Sequence, residues 1–288
     1  MKPKRIKKIF KIFGLILLVV FSVLLIVLIN FISPKTDREV MSRFKEAEVQ
    51  PHLSYEYFKG REVRLIKMQK KLDTLLPTLV FVHGSPGSSM DFQRYLKDSV
   101  LNNLANIIAY DRVGYGTSNT GKVLESLEEE VNLLHQLLKD LNTSKVILIG
   151  YSYGGTLVMA SEKKFKKKVI LAASVRGDLE PMFWMMNFYK WRFTRPFVPK
   201  VLRGASIEKL RHVTELPNYK NNWNLSPSSV LSIHGKEDMI VPYQNSLFLE
   251  QVLDAKKFSL IPIEEGNHSL IWSNFDIIRT ALLNSIRE

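Results

Sequence analysis

A serine sits between two tyrosines and two glycines in Gly150-Tyr151-Ser152-Tyr153-Gly154, directly after the apolar run Val146 to Ile149. The spacing is G-x-S-x-G, the pattern of a nucleophile elbow, in which a strained strand-to-helix turn lifts a hydroxyl off the end of a sheet. Small residues at 150 and 154 leave room for the strand and helix to pack around that turn. The hydroxyl would stand over a helix N-terminus, where backbone N–H groups and the helix dipole favour developing negative charge. Such a serine attacks acyl carbonyls, provided that a base takes its proton.

Six histidines are candidates for that base: His52, His83, His135, His212, His234 and His268. His135 lies inside a capped helix pattern, and His83 and His234 precede glycines at strand ends, where imidazoles commonly hold loops. His52 and His212 have no recognisable setting. His268, in "EEGNHSL" between the last strand and the terminal helix, is in a loop that can reach over the sheet. A base of this kind needs a carboxylate to fix its tautomer and stabilise the imidazolium. Asp238, in "HGKEDMIVP", is held inward by the apolar residues that follow it, whereas Glu237 beside it faces solvent. Asp178, after an earlier strand, is the alternative. Two N–H groups must also face the developing oxyanion. Tyr153 follows the nucleophile and supplies one. The loop "HGSPGSS" supplies the other from Ser85, because Pro86 has no N–H.

These residues need a scaffold that brings distant loops to one edge. Strand-like runs are read at 53–58, 62–68, 77–84, 106–112, 145–150, 167–174, 228–235 and 256–266. Helical patterns alternate with them at 88–100 and 126–142, the latter opening on a capping box of Ser126 and Glu129. Strands alternating with helices predict an α/β fold, a mostly parallel sheet covered on both faces, with reactive groups at the strands' carboxyl ends. The alternation breaks over about 177–227, which reads as a helical cap inserted between two strands. The domain is expected over 53–288, behind a charged connector at 35–52.

Ile12 to Ile32 carries no charge, and 21 residues of helix span about 31 Å, the thickness of a bilayer's hydrocarbon core. The segment ends in "NFISPK", without the small residues of a cleavage site, so an uncleaved transmembrane anchor over residues 1–34 is expected. Of the net charge of +13, Lys2, Lys4, Arg5, Lys7, Lys8 and Lys11 account for six in the first eleven residues. That places the N-terminus in the cytoplasm and the domain outside it, with membrane lipid as a partner. The later cluster "KKFKKK" (163–168) reads as a solvated helix end, or as a contact for anionic lipid. No binding pattern for nucleic acid accompanies the charge. The chain has no cysteine, which excludes disulfides, thiolate catalysis and cysteine-ligated zinc.

Three blocks, "HGSPGS" (83–88), "DRVGYGTS" (111–118) and "GYSYGG" (150–155), resemble the α/β-hydrolase superfamily, in its group with an HGxPG oxyanion loop. With "GKEDMIVP" and "GNH" the resemblance covers roughly 53–288. It implies the chain order nucleophile, acid, base, here Ser152, Asp238, His268. It also implies that Asp111 and Arg112 brace loops, and that an acyl-enzyme cycle runs on a small acyl substrate without metal or organic cofactor. Epoxide and haloalkane hydrolases of the superfamily carry aspartate at the elbow, unlike Ser152. Proline iminopeptidases typically show "DQRGxGxS" and "GGSWG", from which this chain departs. A hydrophobic ester is therefore expected, in keeping with the aromatic and methionine-rich stretch at 182–193. An aminopeptidase, with Glu180 or Glu208 holding a substrate amine, is one alternative. A catalytically idle fold used as a ligand receptor is the other.

Overall fold

The computed structural model describes residues 3–219 and 222–288. The chain forms two compact units, residues 1–33 and 34–288. The first is one helix, α1 (Pro3–Ile32), and its apolar side chains from Ile12 to Val27 are exposed, Leu25 partly so. The side chains of residues 28, 31 and 32 lie outside those described, so the expected span over 12–32 falls partly outside them. Among the described residues no helix is long and apolar enough to cross a membrane.

In the second unit eight strands make one sheet: β1 (His52–Phe58), β2 (Arg61–Lys67), β3 (Thr78–Val82), β4 (Asn106–Tyr110), β5 (Val146–Tyr151), β6 (Lys167–Leu171), β7 (Val230–Gly235) and β8 (Phe258–Ile263). Their spatial order is β1-β2-β4-β3-β5-β6-β7-β8. β2 runs antiparallel to both β1 and β4, and every pairing from β4 to β8 is parallel. All eight strand-like runs are strands, with ends shifted by a few residues.

The helices are α2 (Asp37–Arg43), α3 (Gln93–Leu96), α4 (Ser99–Leu104), α5 (Leu127–Leu137), α6 (Tyr153–Ala160), α7 (Asn187–Lys190), α8 (Lys200–Tyr219), α9 (Gln244–Val252), α10 (Leu270–Ser273) and α11 (Phe275–Arg287). They cover both faces of the sheet. In β3, Val80 and Val82 join one core layer with residues of α5, α6 and α9. Leu79 and Phe81 join the other, with residues of α2, α3, α4 and α11. This is the period-two alternation of a strand buried on both sides. Among its described residues the run 177–227 contains α7, α8 and single 3₁₀ turns and no strand.

Four local expectations need correction. The helix expected at 88–100 is a 3₁₀ turn, Ser89–Phe92, followed by α3 and α4. Asp98 interrupts it, because its carboxylate caps α4 by accepting from Leu101 N–H. The helix expected to reach residue 142 ends at Leu137. Its capping box is half formed: Ser126 Oγ accepts from Glu129 N–H, but the Glu129 carboxylate accepts from Glu125 N–H. The lysine cluster at 163–168 is not a solvated helix end. Lys163 and Lys164 are exposed, but the rest of the run leads into β6, and Lys168 is fully buried. Its ammonium donates to Met159 O, Ser161 O and Ser226 Oγ, and burial pushes its pKa down to about 7. The connector at 35–52 is part of the domain fabric: Thr36 caps α2, and Val40 and Phe44 are buried in the core.

Candidate active site

The turn at Ser152 carries the expected strain. Its φ is 54° and ψ −121°, a left-handed conformation uncommon outside glycine. The chain tolerates it because both neighbouring glycines are needed as they are. A Cβ on Gly150 would lie 2.3 Å from Gly154 O, and one on Gly154 would lie 2.2 Å from Val82 O. Ser152 N–H donates to Leu171 O, which ties the turn to the end of β6. Tyr153 is the first residue of α6, so its N–H is among the donors that the helix itself leaves unsatisfied.

The loops after β5, β7 and β8 meet here. Ser152 Oγ lies 3.0 Å from His268 Nε2, and His268 Nδ1 lies 2.7 Å from Asp238 Oδ2. Asp238 is placed by its own turn: Oδ1 accepts from the N–H groups of Ile240 and Val241. Burial would raise its pKa, but hydrogen bonds from His234 and His268, the electrostatic attraction of His268 and Val241 N–H outweigh it. The carboxyl is held well below its usual range. His268 is itself gripped from behind. Tyr151 Oη donates to His268 O at 2.7 Å, and the two rings lie 5.2 Å apart.

Asp178, the alternative acid, is paired with Arg176 on the surface, and Glu237 is exposed. The remaining histidines are engaged elsewhere. His135 Nε2 meets Ser161 Oγ, and His52 is exposed at the start of β1. His234 Nε2 donates to Val241 O while Nδ1 accepts from Ser246 Oγ, which braces the turn that carries Asp238.

His83 performs the same service for the oxyanion loop. Its Nδ1–H donates to Gly84 O, and its Nε2 accepts from Arg112 N–H at 2.9 Å. Burial and the Arg112 charge drive its pKa far below normal and keep the ring neutral, as that pair of bonds requires. Arg112 also donates to Gly84 O, at 3.0 Å. A planar peptide points its N–H opposite its carbonyl. Pinning Gly84 O from one side therefore turns Ser85 N–H to the other. A Cβ on Gly84 would sit 3.0 Å from Ser152 Cβ, so this peptide lies against the elbow.

What sequence reading missed is the carboxylate set behind Arg112. The guanidinium is fully buried and pairs with Glu130 of α5 and Glu208 of α8, and it stacks over the Tyr153 ring at 4.2 Å. Glu208 also accepts from Tyr115 Oη, which in turn meets Ser85 Oγ at 2.7 Å. The cap helix α8 is thereby joined to both Ser85 and Tyr153. A signal was present: Glu130 shares the buried stripe of α5 with Leu127, Val131 and Leu134, and Glu208 shares that of α8 with Val201, His212 and Leu216. A carboxylate on an apolar stripe implies a buried cation. Asp111 braces loops as expected, accepting from Ser89 and pairing with Arg64. Among the described residues no three histidine or carboxylate side chains converge as a metal site.

Residues 77–216 match the model of the family described as α/β hydrolase fold. Together with this strand order and the elbow, that decides the matter. The chain belongs to the α/β-hydrolase superfamily. Among similar α/β-hydrolase proteins, a proline iminopeptidase of Saccharolobus solfataricus is 34% identical over 92 residues, 31% of this chain but only 29% of that protein's length. Human serine hydrolase BPHL is 26% identical over 217 residues, 67% of this chain and 73% of that one. Among solved structures, a membrane phospholipase A, a bacterial virulence factor, superposes with a TM-score of 0.62. It is 14% identical, with 98% of this chain and 99% of that one covered. At that identity the likeness shows the α/β-hydrolase fold alone.

Proposed function

We propose that the chain is a membrane-anchored serine hydrolase that cleaves a hydrophobic, lipid-like acyl ester through Ser152, His268 and Asp238. One observation carries this reading: the unbroken relay from Ser152 Oγ to His268 Nε2 at 3.0 Å and from His268 Nδ1 to Asp238 at 2.7 Å. His268 takes the hydroxyl proton as Ser152 Oγ attacks the acyl carbonyl. The oxyanion is held by the N–H groups of Tyr153 and Ser85, each such donor being worth roughly 10²–10³ in rate. His268 then protonates the leaving alcohol. Water activated by the same imidazole releases the acid from the acyl-enzyme. No cofactor enters the cycle.

The 30-residue helix α1, with its exposed apolar side chains and lysine-rich start, supports an uncleaved anchor with a cytoplasmic N-terminus and the catalytic domain outside the cytoplasm. The iminopeptidase match favours a second reading, cleavage of N-terminal proline. Against it, the two acids considered for holding an amine are already occupied. Glu208 is bonded by Arg112 and Tyr115, and Glu180 by Lys209, His212 and Ser174.

A fluorophosphonate probe is expected to label the wild-type chain and not Ser152→Ala. Labelling of the variant would remove Ser152 from the mechanism, and no labelling of either would favour an idle receptor. A panel of p-nitrophenyl esters of increasing chain length, monoacylglycerol and proline amides then chooses the substrate. Activity confined to proline amides would overturn the ester.

A further inference from the structure

The cap carries a surface that the proposed chemistry does not use. Between Glu180 and Glu208 the chain has no acidic residue and five cations, Lys190, Arg192, Lys200, Arg203 and Arg195. The acids at either end are already engaged, Glu180 by Lys209 and Glu208 by Arg112 and Tyr115. Within the same stretch large apolar side chains stand in solvent: Trp184 at 72% exposure, Phe193 at 73% and Phe197 at 85%, with Met185, Phe188 and Trp191 about half exposed. They are not scattered singly. Trp184 meets Phe188 at 5.7 Å, Phe188 meets Trp191 at 6.2 Å, and Trp191 stacks on Phe193 at 5.9 Å. The rings form a chain packed against one another rather than against the core.

This loop is held in shape. Thr194 Oγ1 donates to Phe188 O at 2.7 Å, and Arg195 Nε donates to Tyr189 O at 2.8 Å while its guanidinium covers the Tyr189 ring. A braced loop that exposes contiguous aromatics among cations, with no acid in its own sequence between Glu180 and Glu208, has one natural occupant. Tryptophan and tyrosine settle at the headgroup level of a bilayer, and lysine and arginine are drawn to anionic lipid. A protein partner that simply buried apolar area would not require the one-sided charge.

We propose that the segment 182–203 docks onto the headgroup region of an anionic bilayer, with Trp184 and Trp191 immersed at the interface. This is separate from anchoring by α1, and it does not depend on which acyl bond Ser152 attacks. A docked cap brings the carboxyl edge of the sheet to the lipid phase, where a poorly soluble ester would be met without first crossing water.

The test uses the full chain reconstituted in vesicles of phosphatidylglycerol or phosphatidylcholine carrying brominated acyl chains, which quench nearby tryptophan. The chain has four tryptophans, and Trp223 is buried. Co-flotation with vesicles reports α1, and quenching reports the cap, so failure of one is distinguishable from failure of the other. Quenching is expected in phosphatidylglycerol and should largely vanish in the double variant Trp184→Phe, Trp191→Phe. Each of Lys190→Gln and Arg192→Gln should shift the ratio of docked to undocked cap by about fivefold in phosphatidylglycerol and little in phosphatidylcholine. Absence of quenching in a chain that co-floats would overturn the proposal. So would quenching that survives the double variant, since it would then come from Trp272. A blue shift of the cap tryptophans that depends on protein concentration and not on lipid would assign the face to a second copy of the chain.

Discussion

Two imidazole–carboxylate pairs flank the elbow, one on each side. His268 pairs with Asp238 and lies beside Tyr151, while His212 pairs with Glu180 at 3.1 Å and stacks on Tyr153 at 4.5 Å with its ring nearly parallel. Each histidine uses Nδ1 for its carboxylate and is at most slightly exposed. The pairs differ at the other nitrogen. His268 Nε2 meets the hydroxyl of Ser152, whereas His212 Nε2 has no hydrogen-bond partner among the described residues. They differ also in what holds the acid. Asp238 accepts two backbone N–H groups of its own turn, while Glu180 is shared with Lys209 and Ser174. A histidine with a buried acid is therefore not in itself a catalytic unit. In the proposed mechanism the reach of the second nitrogen to the Ser152 hydroxyl makes the difference, and the loop after β8 provides it while the cap helix does not.

The sharpest way to break this comparison is to remove each imidazole in turn. His268→Ala is expected to lower kcat on the best ester of the panel by about 10⁶, as loss of a base that acts as one unit with its nucleophile does. His212→Ala should change it by less than about tenfold, through loosened packing of Tyr153 alone. Comparable losses in both variants would mean that the cap histidine shares the proton transfer.

The acids come next. Asp238→Asn preserves shape but reverses the hydrogen bond that fixes the His268 tautomer, and the expected loss in kcat is about 10⁴. Glu180→Gln keeps its bonds to Ser174 and His212 in altered form and should leave kcat within a few-fold. Steady-state kinetics on the same ester measures both. An Asp238→Asn enzyme of nearly full activity would indicate that the base is oriented by something other than its carboxylate.

The two pairs were not equally readable. His268 and Asp238 follow strand-like runs and lie in short loops, so their place on the edge follows from the alternation of strands and helices. Their strands are neighbours in the same sheet, β7 buried throughout and β8 at its edge, and apolar runs of five or six residues mark such strands well. His212 had no such frame, because it is on a helix of an insertion whose docking is decided by distant groups. Its neighbours Glu208 and Glu130 belong to one buried cluster around Arg112, drawn from positions 112, 130 and 208, and no local pattern links them. Lys168 failed for the same reason. Within "KKFKKK" it is indistinguishable from the exposed Lys163 and Lys164, and the carbonyls of Met159 and Ser161, delivered by the end of α6, together with Ser226 Oγ make a buried ammonium tolerable. The break at Asp98 was smaller but comparable, a competition between continuing one helix and capping the next.

The finest distinction between the pairs is in their acid dependence of stability. Burial would raise the pKa of Glu180, but the hydrogen bond and charge of His212 and the ammonium of Lys209 outweigh it and bring the pKa down to about 2. A carboxylate depressed in the folded state contributes stability above its unfolded value, near 4.5, and loses that contribution as pH falls through about 2, below which it is protonated in both states. The shift corresponds to about 3 kcal/mol. Urea unfolding of the full chain in detergent between pH 6 and pH 2 should therefore show stability falling through this window. In Glu180→Gln the fall should be shallower by about that amount, while neutral-pH stability drops. Asp238 is depressed as well, so Asp238→Asn should flatten the profile at the same end. The two substitutions act on groups held by different elements, one by the cap helix and one by the turn after β7, and their effects on the profile should add. A wild-type profile that is flat below pH 4.5 would mean that neither carboxylate is held as the geometry requires.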